Sequence, residues 1–378
     1  MPRSIAVSSA IGDPLAPSTW SGTPAAICRV LRERGRLGGT LDSSQYGNVY
    51  LRRLTQSFSK RLYGQAFDIG RGRFERYLRG KEVQKRFDDC GETDILHTGT
   101  YDLPLPRRPR QARHYLFCDS TWDLWHRHAT TLPEYRKRLL RDSERLELAA
   151  YRQMTHIFPI SEYVRANLIE HYAVPPDRVT AVGTGRGSIQ PFAGPKDYRN
   201  ETILFVAKGR FEDKGGPLLV EGFKLAQRRR PSLRLVIVGE KEVRDALRDV
   251  PNLEVHGFVP KEQLQAFFDQ SALFAMPALN EPWGLVYLEA LSCRMPLLGL
   301  NRNSIPEITQ GGRLGFCVDT PTGEAIAAAL LEAFSDPDRL ARMGEEGQEH
   351  CLEHHTWERT VTRITDVIDA IEEKEKRV

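Results

Sequence analysis

The sequence predicts an α/β protein made of two doubly wound domains, each a parallel sheet covered by helices on both faces. Three observations carry this. The 378 residues exceed the roughly 250–300 that one hydrophobic core organises. Short apolar runs alternate with longer amphipathic stretches, as buried strands alternate with crossover helices. Glycine and proline punctuate the points where strands end and helices begin.

In chain order, residues 4–8 form a first strand and 9–23 a loop rich in Pro, Gly, Ser and Thr. Pro24 suits a helix start, so 25–35 is the first helix. Residues 94–97 and 114–119 read as buried strands, with His97 and Asp119 at the carboxyl ends, where parallel sheets bind ligands. A strand at 155–161 and a helix at 163–172 follow. Residues 188–199 hold Pro191, Gly194 and Pro195 and read as a linker. Strands at 202–207, 233–239, 253–259, 272–277 and 296–300 then alternate with helices, among them 218–230, 263–270 and 285–293. The helices 323–334 and 337–353 precede a last one that opens at 355–358. The domains are therefore placed at 1–190 and 200–355, with a linker at 191–199 and a terminal helix at 356–378.

Hydrophobic content of 40% and charged content of 28% are those of a globular chain. No stretch approaches the ~20 apolar residues that span a bilayer, and the start lacks the apolar core of a signal peptide. The six cysteines are scattered without a C-x-x-C pair, which fits reduced thiols in a cytoplasmic protein. His126, His128, His350, His354 and His355 lack the Cys or carboxylate partners that would complete a metal site. No G-x-G-x-x-G follows a strand, so a dinucleotide dehydrogenase lacks its fingerprint. Net charge is +4, but residues 1–196 carry about +11 and 197–378 about −7. Such asymmetry suits a polyanion or a membrane surface as partner for the basic half. Residues 50–90 interleave Arg and Lys with Phe58, Tyr63, Phe67, Phe74 and Tyr77. That pattern fits nucleic acid, a membrane face or a solvated amphipathic helix pair.

Two loops concentrate chemistry. In Lys208-Gly209-Arg210-Phe-Glu-Asp-Lys214-Gly215, two cations four residues apart stand beside glycines at a helix start. A guanidinium binds two oxygens at once and an ammonium acts as a point charge, a combination that grips a diphosphate. In the second, Glu281 lies in the loop and Glu289 on the helix that follows. Pro282 suits the helix entrance, and the N–H groups of Gly284 and Leu285 face the positive end of the helix dipole, which attracts phosphate. Two glutamates eight apart are also what a solvated helix face carries.

Glu281-Pro-Trp-Gly-Leu-Val-Tyr-Leu-Glu289 resembles the E-x7-E motif of retaining glycosyltransferase family 4, within glycosyltransferase group 1. Gly209-Arg210 through Lys214-Gly215 is similar to its G-R-x3-K-G loop. The likeness is good over about residues 155–365 and only an outline before that. It implies the GT-B fold, with the active site between two Rossmann-like domains, and a UDP- or GDP-linked sugar as donor substrate, with no further cofactor. Arg210, Lys214 and Glu281 would be catalytic: the cations neutralise the leaving diphosphate and Glu281 orients the sugar. Glu289 would hold the ribose, and Gly284, Leu285 and Val286 the phosphates. Gly257, Phe258 and Val259 match the stretch bordering the nucleobase, and Gly22 the glycine loop after the first strand. No metal is required where protein cations stand. Many relatives carry a histidine at the strand end where this chain has Cys118-Asp119, so the histidine's role does not carry over, and Asp119 is the candidate cleft acid or hydrogen-bond partner there. Asn303-Ser304 replaces the two glycines of the G-G-x-P-E turn. Thr184-Gly185-Arg186-Gly187 matches the turn closing the first domain, after a strand through Val179.

The resemblance thus implies a metal-independent retaining hexosyltransferase acting on a glycan or lipid-linked acceptor, as in polysaccharide or lipopolysaccharide synthesis. The chain would be cytoplasmic, with a peripheral station at the inner face of an anionic membrane. A GT-B nucleotide-sugar epimerase would share the fold without an acceptor. A basic nucleic-acid-binding protein would explain the first half but not the four charged residues of the second.

Overall fold

The computed structural model describes residues 3–46, 72–88, 94–107, 112–127 and 137–377, with single positions between 50 and 61. Much of the basic, aromatic stretch of residues 50–90, together with Cys90 and His128, lies outside the described residues. Two compact units form, Met1–Gly183 with Thr360–Val378, and Thr184–Arg359. The break comes after Gly183, earlier than 190.

The first unit holds a parallel sheet of β1 (Ile5–Ser9), β2 (Leu37–Asp42), β3 (Asp94–Thr98), β4 (His114–Cys118) and β5 (His156–Pro159), in the order β2-β1-β3-β4-β5. Its helices are α1 (Thr23–Glu33), α2 (Arg73–Asp88), α3 (Trp122–Arg127), α4 (Lys137–Gln153) and α5 (Glu162–Glu170). Strands β1, β3, β4 and β5 are buried at every position, as in a sheet covered on both faces, although Ser8, Ser9, Asp94, His97, Thr98 and His114 are among their residues. Strand β2, with sequence LGGTLD, is a half-exposed edge strand, and no apolar run announces it. The strand expected through Val179 is reduced to a single bridge with Ile157, because Pro175 and Pro176 lead into a short 3-10 turn just before it.

The second unit holds β6 (Thr202–Val206), β7 (Arg234–Val238), β8 (Leu253–His256), β9 (Leu273–Ala275), β10 (Leu297–Leu300) and β11 (Gly315–Val318), in the order β11-β10-β9-β6-β7-β8, again parallel. Around it run α6 (Gly216–Arg229), α7 (Arg244–Leu247), α8 (Lys261–Gln270), α9 (Leu285–Ser292), α10 (Ile305–Ile308), α11 (Gly323–Ala333) and α12 (Pro337–His354). Helix α13 (Trp357–Lys376) starts in this unit, and its residues from Thr360 onward belong to the first. There Arg34 and Arg36 of the first unit donate to Thr362 and Asp369, and Arg113 donates to Glu375. Strand β8 ends at His256, so Gly257, Phe258 and Val259 lie in the loop beyond rather than in a strand. In both sheets the strand order reverses direction in the middle, between β1 and β3 and between β6 and β9. Ligands of open α/β sheets bind beyond the carboxyl ends at such a point.

No described helix is long and apolar enough to cross a membrane. Among the described cysteines, Cys28, Cys118, Cys293, Cys317 and Cys351 are free thiols.

Candidate active site in the second unit

The loops that leave β6 and β9 flank the reversal in strand order, and each is shaped by a left-handed glycine. Gly215 (φ +75) caps α6 against the second loop, where a methyl group would overlap the Pro277 carbonyl. Only glycine takes this conformation without strain and leaves room for that approach. The backbone N–H groups of Leu279 and Asn280 donate to the Asp213 carbonyl at 2.9 and 3.1 Å, tying the loops together. Gly284 (φ +78) caps α9. Pro282 therefore stands before the cap, in the turn, and not at the helix entrance expected for it.

These loops gather three of the expected residues. Lys214 Nζ lies 3.7 Å from Glu281 Oε2, and Arg210 Nη1 lies 3.6 Å from the same oxygen. Arg210 Nη2 also donates to the Asn280 carbonyl at 2.9 Å. Lys214 is buried, and burial holds its ammonium below the usual lysine range while Glu281 pulls the other way. Arg210 is more exposed. The result is one carboxylate bridging a buried point charge and a partly solvated guanidinium, at the entrance to a helix.

Glu289 lies farther along α9. Its Oε1 accepts the backbone N–H of Ser188 at 2.7 Å and of Ile189 at 3.2 Å. Burial raises its carboxyl above the usual range, and those N–H groups oppose the rise. Gly209 (φ +72) donates its N–H to the Gly239 carbonyl at 2.8 Å, and the ring of Phe258, 78% exposed, stands near it. Val259 is half-buried. Leu285 and Val286 form the first turn of α9.

Gly22 and Asp119 lie in the first unit. Asp119 Oδ2 accepts the indole N–H of Trp20 at 3.3 Å, and Gly22 (φ +82) caps α1 two residues after Trp20. His97 is wholly buried, hydrogen-bonded to His114 at 2.9 Å and 3.5 Å from Asp102. It is a core residue. Burial pushes His114 down to about 3. Among the described residues, no three His, Cys, Asp or Glu stand together as a metal site.

Several contacts carry no sequence signal. Trp283 Nε1 donates to Thr184 Oγ1 at 2.7 Å, and Ser304 Oγ to the Trp283 carbonyl at 2.8 Å. Asn303 (φ 53) takes the left-handed conformation that a glycine would supply. The turn survives its two substitutions, with Ser304 adding a bond to the glutamate loop.

Residues 189–350 match the family model of the glycosyl transferases group 1. Through this stretch the chain is similar to that family. Among curated relatives, the alpha-maltose-1-phosphate synthase of Mycolicibacterium smegmatis is 27% identical over 56% of the chain and 62% of its own length. The GDP-mannose-dependent alpha-(1-6)-phosphatidylinositol monomannoside mannosyltransferase of the same organism is 30% identical over 41% and 44%. The chain spans about half the length of the curated relatives it matches. The sucrose-phosphate synthase structure from Thermosynechococcus elongatus aligns over 98% of this chain and all of its own, with a TM-score of 0.71 at 15% identity. A glycosyltransferase involved in lipopolysaccharide biosynthesis aligns over 96% and 99%, with a TM-score of 0.64 at 13% identity. The fold is GT-B, two parallel-sheet α/β domains.

Proposed function

We propose that this chain is a group 1 glycosyltransferase, retaining, that moves a hexosyl group from a UDP- or GDP-linked sugar to a glycan or lipid-linked acceptor. The observation that carries the proposal is the convergence of Arg210, Lys214 and Glu281 at the strand-order reversal of the second unit. A relative named as a GDP-mannose-dependent mannosyltransferase supports the donor class. As the C1–O bond to the diphosphate breaks, Arg210 and Lys214 neutralise the charge that builds on the leaving oxygen. A site that holds those charges in place lowers the barrier because it need not reorganise. Glu281, already held by both cations, orients the sugar hydroxyls. Glu289 accepts the ribose hydroxyls, and Phe258 offers a face to the base. The acceptor oxygen attacks C1 on the face the diphosphate leaves, and its proton passes to the departing phosphate oxygen. The protein cations supply the role a metal plays in other transferases, so the reaction runs without one.

A membrane-held acceptor has its own support. Helix α2 exposes Phe74 (63%) and Tyr77 (53%), with exposed Lys81 and Lys85 following at helical spacing. The expected basic cluster is smaller than the sequence suggests, since Arg76 and Arg79 turn inward and are buried.

The test is a thermal-shift screen against UDP- and GDP-sugars, followed by transfer assays with any hit, with and without EDTA. Donor at 100 times its Kd should add about 2.7 kcal/mol of stability, and transfer should survive the chelator. No shift with any nucleotide, or activity restored only by Mg²⁺ or Mn²⁺, would overturn the proposal.

A further inference from the structure

At the edge of the second unit's sheet, a groove of about 290 Å³ lies between β8 and α7. Arg244, Leu247 and Arg248 line it from the helix and its end, and the strand residues from Leu253 to His256 line the other wall. None of these residues belongs to the donor loops described above. The volume is near the lower end of the roughly 300–1,000 Å³ of small-molecule sites.

The two arginines are placed to hold an anion. Arg248 keeps helical angles (φ −62, ψ −30), so it stands one turn beyond Arg244 on the same face. Like charges at that spacing repel, and an anion between them turns the repulsion into attraction. Arg244 Nε donates to the Val255 carbonyl of the edge strand at 3.1 Å. Among the described residues that is its one hydrogen bond, which fixes the guanidinium and leaves both terminal nitrogens for a ligand. Arg248 has Asp249 at 3.9 Å, with the two side chains 72% and 95% exposed, so that pair is weak. Glu254 also lines the groove, but its carboxylate is engaged: Arg234 donates to it at 3.0 Å, and His256 Nε2 lies 3.4 Å away. The groove is therefore basic, in a half of the chain that is net acidic. Its floor is apolar, with Leu247 buried and Leu253 and Val255 half-buried.

We propose that this groove binds a small phosphate monoester, with the phosphate between Arg244 and Arg248 and the organic part on Leu247, Leu253 and Val255. A guanidinium presents paired N–H groups that match two phosphate oxygens, and two guanidiniums answer the charge of a dianion. The apolar floor favours the ester over the free ion. Such a site stands whether or not the second unit holds a nucleotide sugar.

The test is calorimetric titration of the full chain with phenyl phosphate, inorganic phosphate and benzoate. Phenyl phosphate should bind saturably. Inorganic phosphate lacks the apolar part and benzoate the second charge, so each should bind about tenfold more weakly. Arg244→Gln and Arg248→Gln should each weaken phenyl phosphate about tenfold, the loss of one charge-assisted contact. Both positions are exposed, so the variants should keep the parent's melting temperature. Arg210→Gln, in the loop after β6, should not weaken binding. No saturable binding, or equal affinity for inorganic phosphate or benzoate, would overturn the proposal. So would binding that Arg210→Gln removes and the two groove variants leave intact, which would place the phosphate at the donor loops instead.

Discussion

Replacing Lys214 with methionine removes the buried ammonium and keeps most of the side-chain volume. At an effective dielectric of about 20, unit charges 3.7 Å apart attract by about 4–5 kcal/mol. Folding gains little of this, because stripping water from the ammonium costs several kcal/mol. Glu281 keeps Arg210 at 3.6 Å in the variant, so no carboxylate is stranded. The expected loss is about 1–2 kcal/mol, a fall of about 2–8 °C in Tm for a unit of this size. Transfer should respond far more strongly. A leaving diphosphate within similar reach of the ammonium would lose about 3–4 kcal/mol of stabilisation, or about 10²–10³ in kcat/KM. Steady-state kinetics with a donor from the screen, beside a calorimetric melt, measure both quantities. A folded variant whose kcat/KM stays within about threefold of the parent would refute the role given to Lys214.

Three further outcomes are expected. Gly215→Ala should destabilise by several kcal/mol, because φ +75 and the Pro277 carbonyl both oppose a Cβ; Gly311→Ala (φ +67, with nothing within 4 Å) should lose only about 1 kcal/mol, and paired denaturant melts compare them. Glu289→Gln should be at least as stable as the parent at pH 7. Its raised folded pKa means that stability is fully present below the ordinary value of 4.5 and is lost as pH rises through the folded value; melts across pH 4–8 should show the variant's advantage vanish at the acid end. In co-sedimentation with anionic liposomes at low salt, the parent should pellet and a Phe74→Ser, Lys81→Glu double variant should not, with high salt releasing the parent; equal behaviour of the two proteins would remove the membrane surface from the proposal.

The buried strands of the second unit were legible because their apolar runs are almost uninterrupted; β6 (TILFV) and β7 (RLVIV) are examples. Strand β2 was not, since a half-solvated LGGTLD carries too weak an apolar run, and β11, although mostly buried, is only four residues long. Spacing exposed Arg210 with Lys214 and Glu281 with Glu289, because loop and helix motifs are local in sequence. It could not bring Glu281 to the two cations, which depends on the Asp213 carbonyl bonding a loop more than sixty residues on. Nor could it show the groove between α7 and β8, whose walls meet only in the folded sheet. Arg244 and Arg248, one helical turn apart, were the local trace of that groove. The inward turn of Arg76 was hidden because its partners, the Leu103 carbonyl and Glu147, lie on other elements.

The segment just after the break between units bears on how this chain can be recombined with others. Thr184 holds the Trp283 indole, Arg186 accepts the Trp357 indole N–H at 3.0 Å, and Ser188 and Ile189 donate to Glu289. A second unit excised at the proline-rich stretch from residue 191 would leave a buried indole N–H and a largely buried carboxylate without these partners. A transplantable piece therefore runs from Thr184 through Trp357. A chimera joined at 183/184 should give a folded product whose melting temperature rises with nucleotide, whereas one joined at 190/191 would carry Glu289 and its helix α9 with the wrong neighbours.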